Sequence, residues 1–149
     1  RCGTSRAESV LNGLHAADPE TDIVAVHDGV RPLVSVDEIT ATIEKAQETG
    51  AACLVAVVTD TIKEVGEGKI IKTLDRTKLR RAMTPQAFRY GILREALDRG
   101  ILNGDVTDEC MLVERLGHQI AYVEGSSRNI KITRPEDRTM AEALLREFQ

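Results

Sequence analysis

The chain has 149 residues, 42% of them apolar, and carries 20 Lys and Arg against 24 Asp and Glu, a formal net charge of −4. That length supports one domain with its own core and leaves little for a second. The acidic balance argues against a nonspecific binder of nucleic acid or of a membrane surface, and no apolar run nears the roughly 20 residues that cross a bilayer.

In chain order, Val10, Leu11 and Leu14, with Ala7 and Ala17 nearby, predict a helix from Ser5 to about Ala17 after a Gly3-Thr4-Ser5 start. Ile23 to Val26 is a continuous apolar strand. Val36 to about Thr49 reads as a helix capped by Ser35, with Asp37 and Glu38 at its positive end and Gly50 closing it. Ala51 to Val58 is again uniformly apolar, as a strand covered by helices on both faces must be, so these segments form a strand, helix, strand crossover in a largely parallel sheet. Between Thr59 and Asp75, two mixed charged and apolar runs flank Gly66-Glu-Gly68, the signature of a β-hairpin. A hairpin leaving an α/β body exposes edges that a partner subunit can cover, so residues 59–76 are expected to be a dimerisation arm, with a solvated surface ribbon as the alternative. Phe88 to Leu97 is expected as a helix ended by Asp98-Arg-Gly100, and Asp108 to Leu116 as another, capped by Thr107 and stopped by Gly117. Gln119 to Val123 reads as the last sheet strand. Thr133-Arg-Pro-Glu136 is a capping box launching a closing helix through Ala141, Leu144, Leu145 and Phe148.

Cys2, Cys53 and Cys110 are odd in number, widely separated and outside any metal-ligand spacing, so reduced thiols are expected rather than a disulfide framework or a zinc site. Two tyrosines, two phenylalanines and no tryptophan leave no platform for stacking single-stranded bases.

The chemistry concentrates where strands end. Asp22-Ile-Val-Ala-Val-His-Asp-Gly-Val-Arg-Pro32 is a buried strand that delivers Asp28 and then Arg31 at its carboxyl end, the edge at which open α/β sheets bind ligands. Asp28 suits a hard divalent cation and Arg31 a phosphate, with Gly29 and Pro32 shaping the turn between them. Further candidates are Thr61 and Lys63, Arg76, Thr84-Pro85-Gln86, Thr107-Asp108-Glu109 and Asn129-Ile-Lys131. Taken singly, Asp108 and Glu109 read as helix-dipole partners, Thr107 and Thr133 as caps and Lys63 as solvated. Lys131 differs, interrupting Ile130 and Ile132 in a strand-like stretch and pointing toward the ligand edge. His15, His27 and His118 share no spacing and read as structural. Cations and hydroxyls without a nucleophile–base pair suit phosphoryl-type transfer, where catalysis is mainly positioning and charge neutralisation.

With these blocks in place, the chain resembles the 2-C-methyl-D-erythritol 4-phosphate cytidylyltransferase family along essentially its whole length. The likeness rests on Gly3-x-x-Arg6-x-x-Ser9-Val-x-Asn12-Gly-Leu14, Val26-His-Asp-Gly-Val-Arg-Pro32, Asp60-Thr-Ile-Lys63, Arg76 with Thr84-Pro-Gln86, Thr107-Asp-Glu109, and Asn129-Ile-Lys-Ile-Thr-Arg-Pro-Glu-Asp137. The resemblance implies a single domain over 1–149 with a Rossmann-like nucleotidyltransferase α/β fold: a mostly parallel sheet, helices on both faces and a protruding β-arm. It implies CTP as co-substrate and Mg²⁺ at the strand ends, with Asp28 serving both, and Gly3 and Ser9 recognising the cytosine. Arg31, Thr61 and Thr84 would hold methylerythritol phosphate. Arg76 and Lys131 would position its phosphate for in-line attack on the α-phosphorus of CTP, releasing pyrophosphate. A homodimer through the 59–76 arm is implied, with Thr61 and Arg76 completing the partner's site. So is a home in the bacterial cytoplasm or the plastid stroma.

Two departures accompany the resemblance. The glycine-rich loop bearing an arginine, and the lysine that follows it in the family, have no counterpart here. The chain is therefore expected to be an N-terminally truncated piece, inactive alone, and Cys2 stands where a second glycine is common. The nearest rival is a cytidylyltransferase for ribitol 5-phosphate, and a noncatalytic nucleotide-binding or assembly module is the rival of a different class.

Overall fold

The computed structural model describes Gly3 and residues 6–18, 20–99 and 106–146. The expected helix start at Thr4 and Ser5, Cys2, the Gly100 stop and Phe148 lie outside these residues. Helix α1 spans Arg6–His15, strand β1 Ile23–Val26, helix α2 Val36–Thr49 and strand β2 Ala51–Val57. Strands β3 (Lys63–Gly66) and β4 (Lys69–Thr73) form the hairpin, and a 3-10 turn follows at Arg76–Lys78. Then come β5 (Arg80–Arg89), α3 (Tyr90–Arg99), α4 (Glu109–Arg115), β6 (Ala121–Glu124) and α5 (Pro135–Arg146).

The main sheet has the order β1-β5-β2-β6. Strands β1, β2 and β6 run the same way, β2 pairing with β6 in parallel, while β5 lies antiparallel between β1 and β2. The expected crossover from β1 through α2 to β2 therefore exists, but it straddles β5 instead of joining neighbours. Alternation along β2 explains its continuous apolar run. Ala51, Cys53 and Val55 pack with Phe88 beneath α1, α3 and α4. Ala52 packs with Ala87 and Ala46 of α2, and Leu54 and Ala56 join Met83 on that same side. Both faces are thus covered, and every side chain up to Ala56 is buried.

Several boundaries move. Phe88 belongs to β5, where it is fully buried, and the helix begins at Tyr90. Sequence alone does not disclose β5, because Pro85 in its middle cannot donate to a ladder and argues against a strand. The chain accommodates Pro85 with a bulge: Cys53 faces Gln86 and Val55 faces Ala82, so Met83, Thr84 and Pro85 together oppose Leu54. Asp108, not Thr107, caps α4, its carboxylate accepting the Met111 N–H at 3.0 Å. At α5, Asp137 replaces Glu136 as the capping acid, accepting the N–H groups of Thr133 and Arg134 at 2.8 Å each. Leu145 is exposed rather than core, and the strand-like stretch around Lys131 is an extended loop pinned by the Ile132 N–H to the Val30 carbonyl at 2.8 Å. Ser35 and Glu38 form the capping box of α2.

The hairpin turns through Glu67 and Gly68, both at positive φ (50° and 75°), the geometry that matches strand twist in a two-residue turn. Its Val65, Ile70 and Ile71 are exposed. No helix among the described residues is long and apolar enough to cross a membrane.

Truncating Phe88 to Ala should destabilise the fold by about 3–5 kcal/mol in a urea titration, and a loss below about 1 kcal/mol would contradict the two-sided core. Ser35→Ala should cost about 1 kcal/mol through the lost cap.

Candidate active site

Asp28 lies just past the carboxyl end of β1, and the bulge in β5 brings Thr84 against it: the Asp28 N–H donates to Thr84 Oγ1 at 3.0 Å. Thr84 Oγ1 also contacts His27 Nδ1 at 3.0 Å, and His27 Nε2 reaches the Arg31 carbonyl at 3.1 Å. One arrangement satisfies every group, with the Thr84 hydroxyl donating to Nδ1 and Nε2–H donating to the carbonyl. His27 is thereby a strut for the loop. The Arg31 N–H closes the turn onto the Asp28 carbonyl at 2.9 Å.

Three cations converge on the Asp28 carboxylate. Lys131 Nζ lies 3.1 Å from Oδ2, Arg31 Nε 3.4 Å from Oδ2 and Arg6 Nη2 3.4 Å from Oδ1. Buried Asn129 ties Arg31 to Thr84, its side-chain amide donating to the Thr84 carbonyl at 3.0 Å while its backbone carbonyl accepts from Arg31 at 2.9 Å. Arg6 also pairs with Glu109, which is fully buried in the first turn of α4. Gln86 ties β5 to that helix, donating to Asp108 Oδ2 at 2.9 Å and accepting the Cys110 N–H at 3.2 Å. A cavity of about 240 Å³ opens among Arg6, Asp28, Arg31, Thr84, Asp108 and Lys131.

Burial alone would raise the Asp28 carboxyl, but the hydrogen bond and charge of Lys131, with the charges of Arg6 and Arg31, hold it below the usual range. Glu109 is the reverse, as burial pushes its carboxyl up against the opposing pull of Arg6.

Of the residues singled out in the sequence, Asp28, Arg31, Thr84, Gln86, Thr107, Asp108 and Lys131 meet in this cavity. Gly3 and Ser9 meet each other, the Gly3 N–H donating to Ser9 Oγ at 2.9 Å across the first turn of α1. A Cβ on Gly3 would sit 2.6 Å from that of Glu8, so only glycine fits there. Thr61 and Arg76 stay at the root of the hairpin, outside the cavity, with the Arg76 guanidinium on the Thr59 carbonyl. Sequence reasoning left Arg6 as a motif residue without a role, named Gln86 and Asn129 only as members of candidate blocks, and read Glu109 as a helix-dipole partner. Cys53 and Cys110 are free and buried.

The sequence profile of IspD, 2-C-methyl-D-erythritol 4-phosphate cytidylyltransferase, matches residues 1–147. The chain belongs to this family. It is 48% identical over 145 residues to the family's enzyme from Syntrophotalea carbinolica, covering 96% of this chain and 62% of that one. With the Solibacter usitatus relative it shares 44% identity, covering 97% of this chain and again 62% of the relative. It therefore spans a little under two thirds of the length of the curated relatives it matches. Among solved structures, 4-diphosphocytidyl-2C-methyl-D-erythritol synthase from Anaerococcus prevotii superposes with a TM-score of 0.91 at 31% identity, over 97% of this chain and 66% of that one. The Thermus thermophilus enzyme gives 0.86 at 38%, over 97% and 71%. The α/β fold expected from sequence is thus the fold of IspD structures, with the antiparallel β5 its mixed element.

A carboxylate with a depressed pKa stabilises the folded state above its unfolded pKa, and that contribution is lost as pH falls through the folded value. Lys131→Met should therefore raise the Asp28 pKa in a ¹³C-carboxyl titration and weaken the pH dependence of stability at the acid end. An unmoved Asp28 titration would contradict the ion pair.

Proposed function

We propose that the protein transfers the cytidylyl group of CTP to 2-C-methyl-D-erythritol 4-phosphate, releasing pyrophosphate. The observation that carries this reading is the convergence of Arg6, Arg31 and Lys131 on Asp28 beside Thr84 at one strand-end cavity. Two polyanions can meet only where their repulsion is offset, and a phosphate acceptor is already anionic, so the reaction needs positioning and charge neutralisation more than a base. Arg31, Thr84 and Lys131 hold the acceptor in this reading, with Lys131 and Arg76 aligning its phosphate, while Gly3 and Ser9 recognise the cytosine.

Asp28 and Asp108 are the carboxylates lining the cavity, a donor set that fits a magnesium ion held by one or two carboxylates and completed by substrate phosphates. Among the described residues no three His, Cys, Asp or Glu side chains cluster to hold a metal by themselves, so the nucleotide has to supply the remaining ligands. Such an ion would neutralise charge building around the α-phosphate. Thr61 and Arg76 then act in trans: the hairpin arm, with Val65, Ile70 and Ile71 exposed, crosses to a second copy and completes its site. The bacterial relatives favour the cytoplasm over a plastid stroma.

In a protein that also carries the family's glycine-rich loop, pyrophosphate release with CTP should depend on methylerythritol phosphate, and preference for ribitol 5-phosphate, or no turnover at all, would overturn the assignment. Arg31→Met or Lys131→Met should each lower kcat/KM by about 100-fold or more. Mixing inactive Arg76→Ala and Lys131→Ala subunits should restore about a quarter of wild-type activity, because half of randomly formed dimers then hold one intact site. No recovery on mixing would place Arg76 in its own subunit's site.

A further inference from the structure

Glu109 does not line the cavity, yet it is fully buried and pairs with Arg6, whose other terminal nitrogen reaches Asp28. Its second oxygen, Oε2, has no hydrogen-bond partner among the described residues, so its interaction is directed at Arg6. Arg6 opens α1, one turn before Ser9, and its side chain is about one third exposed (35%) at the cavity wall. The Glu109–Arg6–Asp28 chain thus links three separate parts of the fold: the first turn of α4, the start of α1 and the end of β1. Gln86 and the Asp108 cap fix the α4 end of this chain.

We propose that Glu109 is a positioning residue for the nucleotide: it holds the Arg6 guanidinium at the cavity wall, where Arg6 meets the polyphosphate of CTP, and it anchors the α1 turn that carries Ser9. This rests on the reading of the Asp28 cavity as a nucleotide site. A role in stability alone fits poorly. A buried carboxylate with one bare oxygen is a cost to the fold, and an uncharged side chain of the same shape is commonly tolerated as well or better. Burial raises the Glu109 carboxyl, and the Arg6 contact is the largest influence that opposes this. What the charge supplies instead is direction, a closer anchor for Arg6 than its 3.4 Å contact with Asp28.

The test is CTP binding by calorimetry, in a double-variant cycle, with melting temperatures measured alongside. Glu109→Leu and Arg6→Met should each weaken CTP binding by about 10-fold, and the double variant should bind no worse than Arg6→Met alone, since Glu109 acts only through Arg6. Glu109→Gln keeps an acceptor for Arg6 and should lose only about threefold, with a melting temperature at or above wild type. This variant decides the matter if the Leu variant fails to fold. Multiplying losses in the double variant, or a lowered melting temperature with unchanged CTP affinity in Glu109→Gln, would overturn the proposal. A coupled CTP site that transfers nothing to methylerythritol phosphate would overturn the proposed reaction and leave this inference standing. Intact transfer with uncoupled variants would do the opposite.

Discussion

One carboxylate organises the site. Asp28 is reached by cations from three places in the chain: Arg6 at the start of α1, Arg31 three residues onward in its own loop, and Lys131 in the extended segment before α5. Solvent-exposed pairs of this kind contribute little, but Asp28 and Arg31 are only 14% and 12% exposed, where charges are screened less and geometry matters more. The cluster can form only when α1, β1 and the Asn129 loop are already in place. It therefore reports on the whole architecture, and it concentrates positive charge on one small cavity of a chain whose net charge is negative.

The bulge in β5 is what turns a sheet edge into a site. A regular strand would continue its alternation past Gln86 and leave Thr84 opposite β2. Three residues set against Leu54 instead bring the Thr84 hydroxyl under the Asp28 N–H, and its carbonyl to Asn129. This is also where the sequence is least legible. Uniform runs such as Ala51 to Val57 disclose a covered strand, and Ser35 with Glu38 discloses a helix start, because burial and capping act through neighbours in sequence. β5 draws its pairing from β1 and β2, which lie far away along the chain, and its proline hides it locally.

The same distinction explains which site residues could be read in advance. Asp28, Arg31 and Lys131 follow from their positions near strand ends and helix starts, since those positions face the ligand edge in any open α/β sheet. Arg6 and Glu109 are 103 residues apart, and nothing in their spacing announces a pair. Asn129 is likewise a polar residue whose purpose appears only when Thr84 and Arg31 arrive beside it. Long-range polar partners are chosen by the fold, so a sequence discloses them only after the fold is known.

The hairpin presents the opposite case, being locally obvious and globally incomplete. Its turn residues and alternating charges specify two paired strands, yet no part of β4 is buried and only Gly66 of β3 is partly so. A two-stranded ribbon is marginal by itself in water, and exposed Val65, Ile70 and Ile71 gain nothing from solvent. Thr61 and Arg76 sit at the root of that ribbon, away from the cavity of their own chain. In the proposed reading, exchange of the arm between copies of this chain would cover Val65, Ile70 and Ile71 and carry the Thr61 hydroxyl and the Arg76 guanidinium to the partner's cavity in one step.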